Sequence, residues 1–397
     1  MENRLSRTEF VALTAMLMAT VALSIDAMLP ALPEIAQDLT AQAPNRAQLV
    51  ITGFVFGIGC GTFLAGPLSD SFGRKTVIVG GAGLYVLATL AAFFAQSLET
   101  MLAARTVMGF GAAAPRIVAL AMVRDLYAGR YMARIVSFAM MVFTLVPAIA
   151  PLLGSVIIAT AGWRAIFLVF VVFSALSVGW LALRQPETLP PERRRPLSFA
   201  PIWAATREIL RNRMVTMTIA VQALAYATLF GTLSSTQQVF DVTFGRGESF
   251  PLWFALIALL AGTASVLNAV LVVRLGMRYL VTVTLAAQIL LSGGMAGATM
   301  LGLIPETLTF PAYLLWTAGV FFMAGLVLGN LNALALEPMG HIAGTAASVV
   351  GALSTVGSVL VAIPIGLAFD GTPLPLMTGV LACTTTGFIL MRALPGR

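Results

Sequence analysis

Long apolar runs separated by short polar punctuation set the pattern of this chain, and each run has the length a helix needs to cross a bilayer, about 20 residues. Twelve such runs can be marked, at residues 10–32, 47–68, 76–96, 100–122, 134–160, 165–183, 214–239, 251–273, 279–303, 308–335, 343–369 and 373–392. Charges, prolines or polar clusters bound each of them, which is how hydropathy reveals membrane helices. The longest polar connection, Arg184 to Arg213, falls between runs six and seven. The pattern therefore predicts an all-α membrane protein with twelve transmembrane helices. They divide into an N-terminal six-helix bundle over 1–183, a linker over 184–213 and a C-terminal six-helix bundle over 214–397. An even number of spans puts both termini on one side.

Composition sharpens this. The chain is 397 residues long, 59% hydrophobic and only 10% charged, with mean hydropathy +0.95. A soluble fold carries about 25% charge, so the chain is read as an integral membrane protein. The first run is too long for the apolar core of a cleaved leader and is expected to stay as the first span. Cys60 and Cys383 both lie in apolar runs without metal or redox spacing, and read as small lipid- or core-facing residues.

The net charge of +7 would suggest nucleic acid in a soluble protein. Here topology accounts for it. With both termini inside, the inner segments hold eighteen of the 23 basic residues, and the outer ones only Arg46, Arg164 and Arg246. This is the positive-inside bias of a cytoplasmic face, and no nucleic-acid partner is needed.

The linker opens with closely spaced prolines, which oppose a helix. From Ile202 to Arg213 an amphipathic helix fits, with Ile202, Trp203, Ile209 and Leu210 on one face, lying on the inner leaflet. A faint internal repeat is visible: Gly66–Thr76 follows run two, Arg274–Tyr279 follows run eight, and both place a glycine beside basic residues. Two equivalent halves facing each other across a central cavity make a transporter architecture.

One acid lies deep in the first run, Asp26. A carboxylate at such depth costs roughly 2.5–3.5 kcal/mol on insertion scales, so it is a functional-site candidate and, as a lone titratable acid, is expected to carry a proton; the alternative is an acid at the helix end that snorkels to the outer interface. Arg105 and Arg116 lie in run four, eleven residues apart, on nearly one helix face and roughly 16 Å apart along the axis. Gly109 and Ala112 fall between them, leaving a small-residue lining for a substrate or a neighbouring helix. Asp26 and Arg105 sit at similar depth. A buried arginine wants an acid, so the two are expected to act together in proton coupling, or alternatively to form a permanent bridge that only fixes packing. Arg116 contacts either a substrate or cavity water.

At this point the chain resembles the major facilitator superfamily over nearly its full length. The segment Gly66-Pro67-Leu68-Ser69-Asp70-Ser71-Phe72-Gly73-Arg74-Lys75 is similar to that family's loop between helices two and three, which implies a conformational latch. Gly73 suits a tight turn at positive φ, and Asp70 can pair with bases or cap a helix. Leu102–Gly111 resembles the family's helix-four arginine motif, tied to proton coupling in antiporters. Run five, with Pro147, Pro151 and Gly154, resembles the exporters' helix-five motif, with Ala150-Pro151 in place of Gly-Pro; its prolines predict a kink. Gly162–Phe167 looks like the exporters' turn into helix six, with Trp163 as an interfacial anchor. SIDAMLPALPEIAQDL, APLLG and PETLP are most similar to the bicyclomycin/chloramphenicol-resistance drug:proton antiporters.

The second half carries no charge in the middle of a span. Gln222, Tyr226 and Asn330 are its candidate substrate contacts, against the commoner role of membrane amides as interhelical glue worth about 0.6 kcal/mol. Glu337, His341 and Asp370 read as surface groups.

The expectation is a proton-coupled exporter of drugs or small amphipathic metabolites across a bacterial inner membrane by alternating access. The alternative is a sugar or metabolite permease of the same fold. Its partners would be a small-molecule substrate, protons and the lipid bilayer; the chain would act as a monomer. No cofactor is expected, the proton gradient being the energy source. An embedded enzyme would need a nucleophile–base set or metal motif, and the sequence has no HExxH, GxSxG or Walker A.

Overall fold

A computed structural model describes residues 5–198 and 200–394. The described residues are helical, with no strand among them. In order they form α1 (Arg7–Asp26), α2 (Leu32–Leu39), α3 (Leu49–Phe72), α4 (Arg74–Phe93), α5 (Leu98–Leu126), α6 (Gly129–Ala161) and α7 (Ala165–Arg184). After the linker come α8 (Ala200–Arg211), α9 (Arg213–Gln238), α10 (Phe250–Leu275), α11 (Met277–Met300), α12 (Glu306–Leu336), α13 (Ala343–Leu367) and α14 (Leu374–Arg392). Eleven stretches have the length and hydropathy of a span, and one of them, Glu306–Leu367, contains both α12 and α13. The chain is a multi-pass membrane protein with twelve long helices among the described residues. Contacts group it into two compact units, Met1–Thr40 with Gly53–Trp203, and Ala41–Thr52 with Ala204–Arg397.

The first run is not one helix. Pro30 cannot donate a backbone hydrogen bond, and its ring would collide with the carbonyl four residues back, that of Asp26. Accordingly α1 stops at Asp26, a 3-10 turn covers Leu29–Ala31, and α2 resumes at Leu32.

In lipid, apolar surface gives helices no reason to associate, so close packing of small residues does. In the first unit glycines bring α3, α4 and α5 together. A Cβ on Gly57 would strike the Thr106 carbonyl, one on Gly61 the Phe110 carbonyl, and one on Gly109 the Phe54 carbonyl. Gly81 and Gly111 oppose each other's backbone in the same way between α4 and α5. The second unit uses aromatic and amide contacts more. Phe240 meets Phe250, Phe310 and Tyr313 at centroid distances of 5.5, 5.2 and 6.0 Å, while Trp316 donates to Ser292 Oγ at 3.0 Å.

The faint sequence repeat has a backbone counterpart. α3 and α4 are joined by the single residue Gly73 (φ 98°, ψ 153°), and α10 and α11 by the single residue Gly276 (φ 78°, ψ 153°). Each glycine donates to the carbonyl four residues before it and accepts from the amide four residues after. Only glycine adopts such a φ without strain.

Two expectations are corrected. Of the four apolar residues placed on one face of the linker helix, Ile202 and Ile209 are buried while Trp203 and Leu210 are exposed. Trp163 is no lipid-facing anchor. It is 3% exposed and its indole donates to Asp38 Oδ2 at 2.9 Å, beside the Arg164–Asp38 ion pair at 3.1 Å.

Candidate functional site

The break after Asp26 organises the site in the first unit. Because the chain tightens into a 3-10 turn there, the Met28 amide bonds to the Ile25 carbonyl instead of continuing the helical pattern to Ser24. The Ser24 carbonyl is thus available, and Arg105 Nη2 on α5 donates to it at 2.9 Å. The guanidinium also lies over the Phe54 ring, 4.3 Å from its centroid, a cation–π contact strengthened by removal from water. Arg105 is 0% exposed.

Ser24 is a hub. Its hydroxyl donates to the Thr20 carbonyl at 2.6 Å. Having one proton, it must accept in its 2.7 Å contact with Tyr85, so the tyrosine hydroxyl of α4 is the donor. Thr89 Oγ1 in turn donates to the Tyr85 carbonyl at 2.6 Å. One polar chain therefore joins α1, α4 and α5 within an apolar surround.

Asp26 lies two residues from Ser24 at the last position of α1 and is 5% exposed. Its carboxyl makes no hydrogen bond or ion pair with any described residue. Of the two relations the sequence left open, the permanent bridge between Asp26 and Arg105 is not formed. Positions two apart on a helix do not face each other, so Arg105 holds the turn that carries Asp26 through its backbone. Gly154 of α6 closes the other side: a Cβ there would strike the carbonyl of Ala27, next to the acid. Pro151 is buried and Pro147 half-buried within a helix that runs unbroken from Gly129 to Ala161.

Gly109 and Ala112 are both buried. Of the two occupants the spacing allowed for Gly109, the structure places a neighbouring helix, α3, against it. Arg116 is half-buried on the same helix as Arg105.

At the α3–α4 joint Gly73 has the positive φ the sequence required. Arg74 is 8% exposed and pairs with Asp70 and with Asp125 Oδ2, the latter at 2.9 Å, and donates to Ser69 Oγ at 2.7 Å. Asp70 does not cap a helix. That position belongs to Glu187 of the linker, which accepts from the amides of Arg74 at 2.9 Å and Lys75 at 3.1 Å, at the positive end of α4. Lys75 Nζ donates to the Ala182 carbonyl. Gly66 lies one turn before Asp70 on α3, and its carbonyl accepts from Ser69 Oγ.

In the second unit Asn330 is committed to structure. Its amide donates to Asn268 Oδ1 of α10 at 2.6 Å and to the Leu326 carbonyl at 2.7 Å. Asn330→Leu is expected to loosen α10 from α12 by about 0.6–1.7 kcal/mol, read as lowered thermal stability in detergent with substrate affinity unchanged. Gln222 and Tyr226 stay together, one turn apart on α9; the Gln222 carbonyl oxygen is buried without a partner among the described residues, and Tyr226 stacks on Phe230 at 5.7 Å.

Sequence reasoning missed Ser24, hidden beside the more conspicuous Asp26, and Phe54 and Tyr85, which lie in uncharged apolar runs and gave no signal. It also missed Glu187 and Asp125, whose signal is their position beside basic residues at span ends. Among the described residues no three His, Cys, Asp or Glu side chains gather to hold a metal ion.

The Major Facilitator Superfamily profile matches residues 14–362. The chain is 29% identical over 378 residues to the bicyclomycin resistance protein homolog of Haemophilus influenzae, covering 94% of this chain and 92% of that one. It is 28% identical to multidrug resistance protein D of Escherichia coli, covering 83% and 81%. A D-xylose-proton symporter structure superposes with TM-score 0.75 at 15% identity, over 98% of each chain, a likeness of fold alone. These relatives are transporters rather than enzymes. The chain belongs to the Major Facilitator Superfamily.

Proposed function

We propose that this transporter is a proton-coupled antiporter that exports drugs or small amphipathic metabolites across a bacterial inner membrane, with both termini in the cytoplasm. The observation that carries the reading is Asp26: a buried carboxyl without a partner, at a break in its span, beside a turn gripped by a buried arginine. A carboxyl kept in a membrane without a partner serves proton transfer better than packing, because a structural acid would be paired. Arg105 sets the geometry of that turn, and its charge biases the site towards releasing the proton when substrate or a conformational change intervenes. Export, rather than uptake, is favoured by relatives named for drug resistance. Arg116, Gln222 and Tyr226 are the proposed substrate contacts, and the α3–α4 joint with Asp70, Arg74 and Lys75 is the proposed conformational latch. The positive-inside distribution supports the orientation.

The test uses everted vesicles with an acidified lumen. Adding compounds from a susceptibility screen should dissipate the pH gradient in proportion to protein content; transport that proceeds with no proton movement would sink the reading. Arg105→Ala loses a charged hydrogen bond worth roughly 1.5–3 kcal/mol, so the initial export rate should fall by roughly tenfold or more. Arg105→Lys keeps the charge but not the planar fork and should fall between, while Arg46→Ala should change the rate little.

A further inference from the structure

A cavity of about 950 Å³ opens at the end of the second unit opposite its C-terminus. It lies where α9 ends, α11 ends, and α12 and α14 begin. Sequence reading gave no hint of it, and it contains none of the residues assigned above. Its volume falls in the range of small-molecule sites.

Three features set it apart from a packing gap. The first is its aromatic wall, made by Phe244, Trp253, Phe310 and Tyr313. Phe310 lies 5.3 Å from both Phe244 and Trp253, centroid to centroid and edge-to-face at 71° and 73°, so the rings form one contiguous aromatic wall against which a ligand ring can pack. The second is the backbone behind that wall. Val239–Thr243 is a π-helical turn, an uncommon conformation that recurs at functional sites. Its return bonds, from the Phe244 amide to Val239 and the Arg246 amide to Phe240, fold the loop back on itself. Thr243 Oγ1 pins the turn to the Gly371 carbonyl at 2.9 Å.

The third is Arg246, which that fold delivers to the cavity. Its guanidinium lies 4.3 Å from the centroid of Phe310, and no carboxylate of the described residues lies within ion-pair distance of it. A guanidinium held over a ring by cation–π attraction still has N–H donors to offer an oxygen acceptor. Two of the acids nearby are engaged or offset. Asp370 accepts from the amide and hydroxyl of Thr372 at 3.0 and 2.7 Å. Glu306, in the cavity lining, sits in the first turn of α12, where the helix dipole offsets its charge.

We propose that this cavity is a second small-molecule site, which takes an aromatic organic anion: rings against Phe310 and Trp253, acidic group on the edge of Arg246.

The test uses the full chain in phosphatidylcholine nanodiscs and three probes with one ring system: 1-pyrenesulfonate, pyrenemethanol and pyrenemethylammonium. Saturable energy transfer from tryptophan to pyrene reports binding, and Trp253→Phe, which keeps the wall, should lower its amplitude while leaving the transfer from Trp316, packed 5.7 Å from Tyr313. The sulfonate should bind roughly tenfold tighter than the alcohol, and Arg246→Ala should erase that advantage, as expected for one charge-assisted bond. Glu306→Gln should tighten sulfonate binding, a gain that misfolding cannot imitate. Asp26→Asn should leave all of this unchanged, so this site and the proton reading stand or fall separately. Equal binding of the three probes, an unchanged Arg246→Ala, or a Glu306→Gln that weakens binding each overturns the proposal. So does displacement of the sulfonate by added phosphatidylglycerol, which would make the cavity a lipid headgroup site.

Discussion

Asp26→Asn is expected to abolish substrate-driven collapse of the pH gradient, down to the level of vesicles without the protein, while the variant remains folded and inserted. Asparagine keeps the shape of the side chain and removes the exchangeable acid. Asp26→Glu should retain part of the activity, since the carboxyl remains at altered reach. Thermal stability separates a proton carrier from a structural acid. The carboxyl has no partner among the described residues, so removing it leaves no other charge stranded, and the insertion cost of roughly 2.5–3.5 kcal/mol for an acid at depth is relieved in part. Asp26→Leu should therefore unfold in detergent at the same or a higher temperature than the wild type while being inactive. A paired structural acid would behave in the opposite way, since breaking a buried pair costs about 3–5 kcal/mol. A marked loss of stability on Asp26→Asn would contradict the assignment.

Gly109→Val should be among the most damaging single substitutions in the first unit. The new side chain would drive α5 away from the Phe54 carbonyl and the Ile58 amide of α3. Both obstacles are backbone, so neither can rotate aside. Overpacking of this kind costs about 1–3 kcal/mol or more, and here it also shifts Arg105, one turn earlier on α5, away from Ser24. The expected result is poor yield and a sharply lowered unfolding temperature, with export lost in whatever protein survives. Gly80→Ala and Gly83→Ala on α4 are the controls. A Cβ at either position meets nothing within 4 Å, and replacing glycine in a helix is worth about 0.5–1 kcal/mol in stability. Those two variants should be at least as stable as the wild type. Comparable damage from all three would mean that close approach at Gly109 is not what holds α3 and α5 together.

The fold was legible because bilayer thickness imposes a length on every span, and arginines, prolines and glycines mark the ends. The equivalence of the joints at Gly73 and Gly276 could be read too, from glycine beside basic residues at matching places in each half, but as loops of several residues rather than single-residue turns. The site was half legible. Asp26 and Arg105 stand out as charges in apolar runs, but their relation does not: a buried base seeks an acid, which left a permanent bridge open beside a coupled pair. The protein sets Arg105 against a carbonyl and a ring instead. The clue was Pro30, four residues after Asp26, since it ends the helix there and exposes the Ser24 carbonyl; continuous hydropathy across the run hid it. Asn330 illustrates the converse difficulty. A membrane amide looks alike whether it meets a ligand or another amide, and only the three-dimensional register of α10 against α12 decides.

The joints at Gly73 and Gly276 also have a mechanical meaning. With one residue between helices there is no slack, and two torsions must carry any relative tilt. Hydrogen bonds on both sides of each glycine tie those torsions to the adjoining turns, so α3 with α4, and α10 with α11, move as stiff forks rather than as separate rods. Rearrangement inside the first unit is then absorbed where the chain has loose coupling, and the interrupted stretch after Asp26 is such a place. Motion would be concentrated beside the acid, so that the element proposed to carry the proton would also be the one that bends.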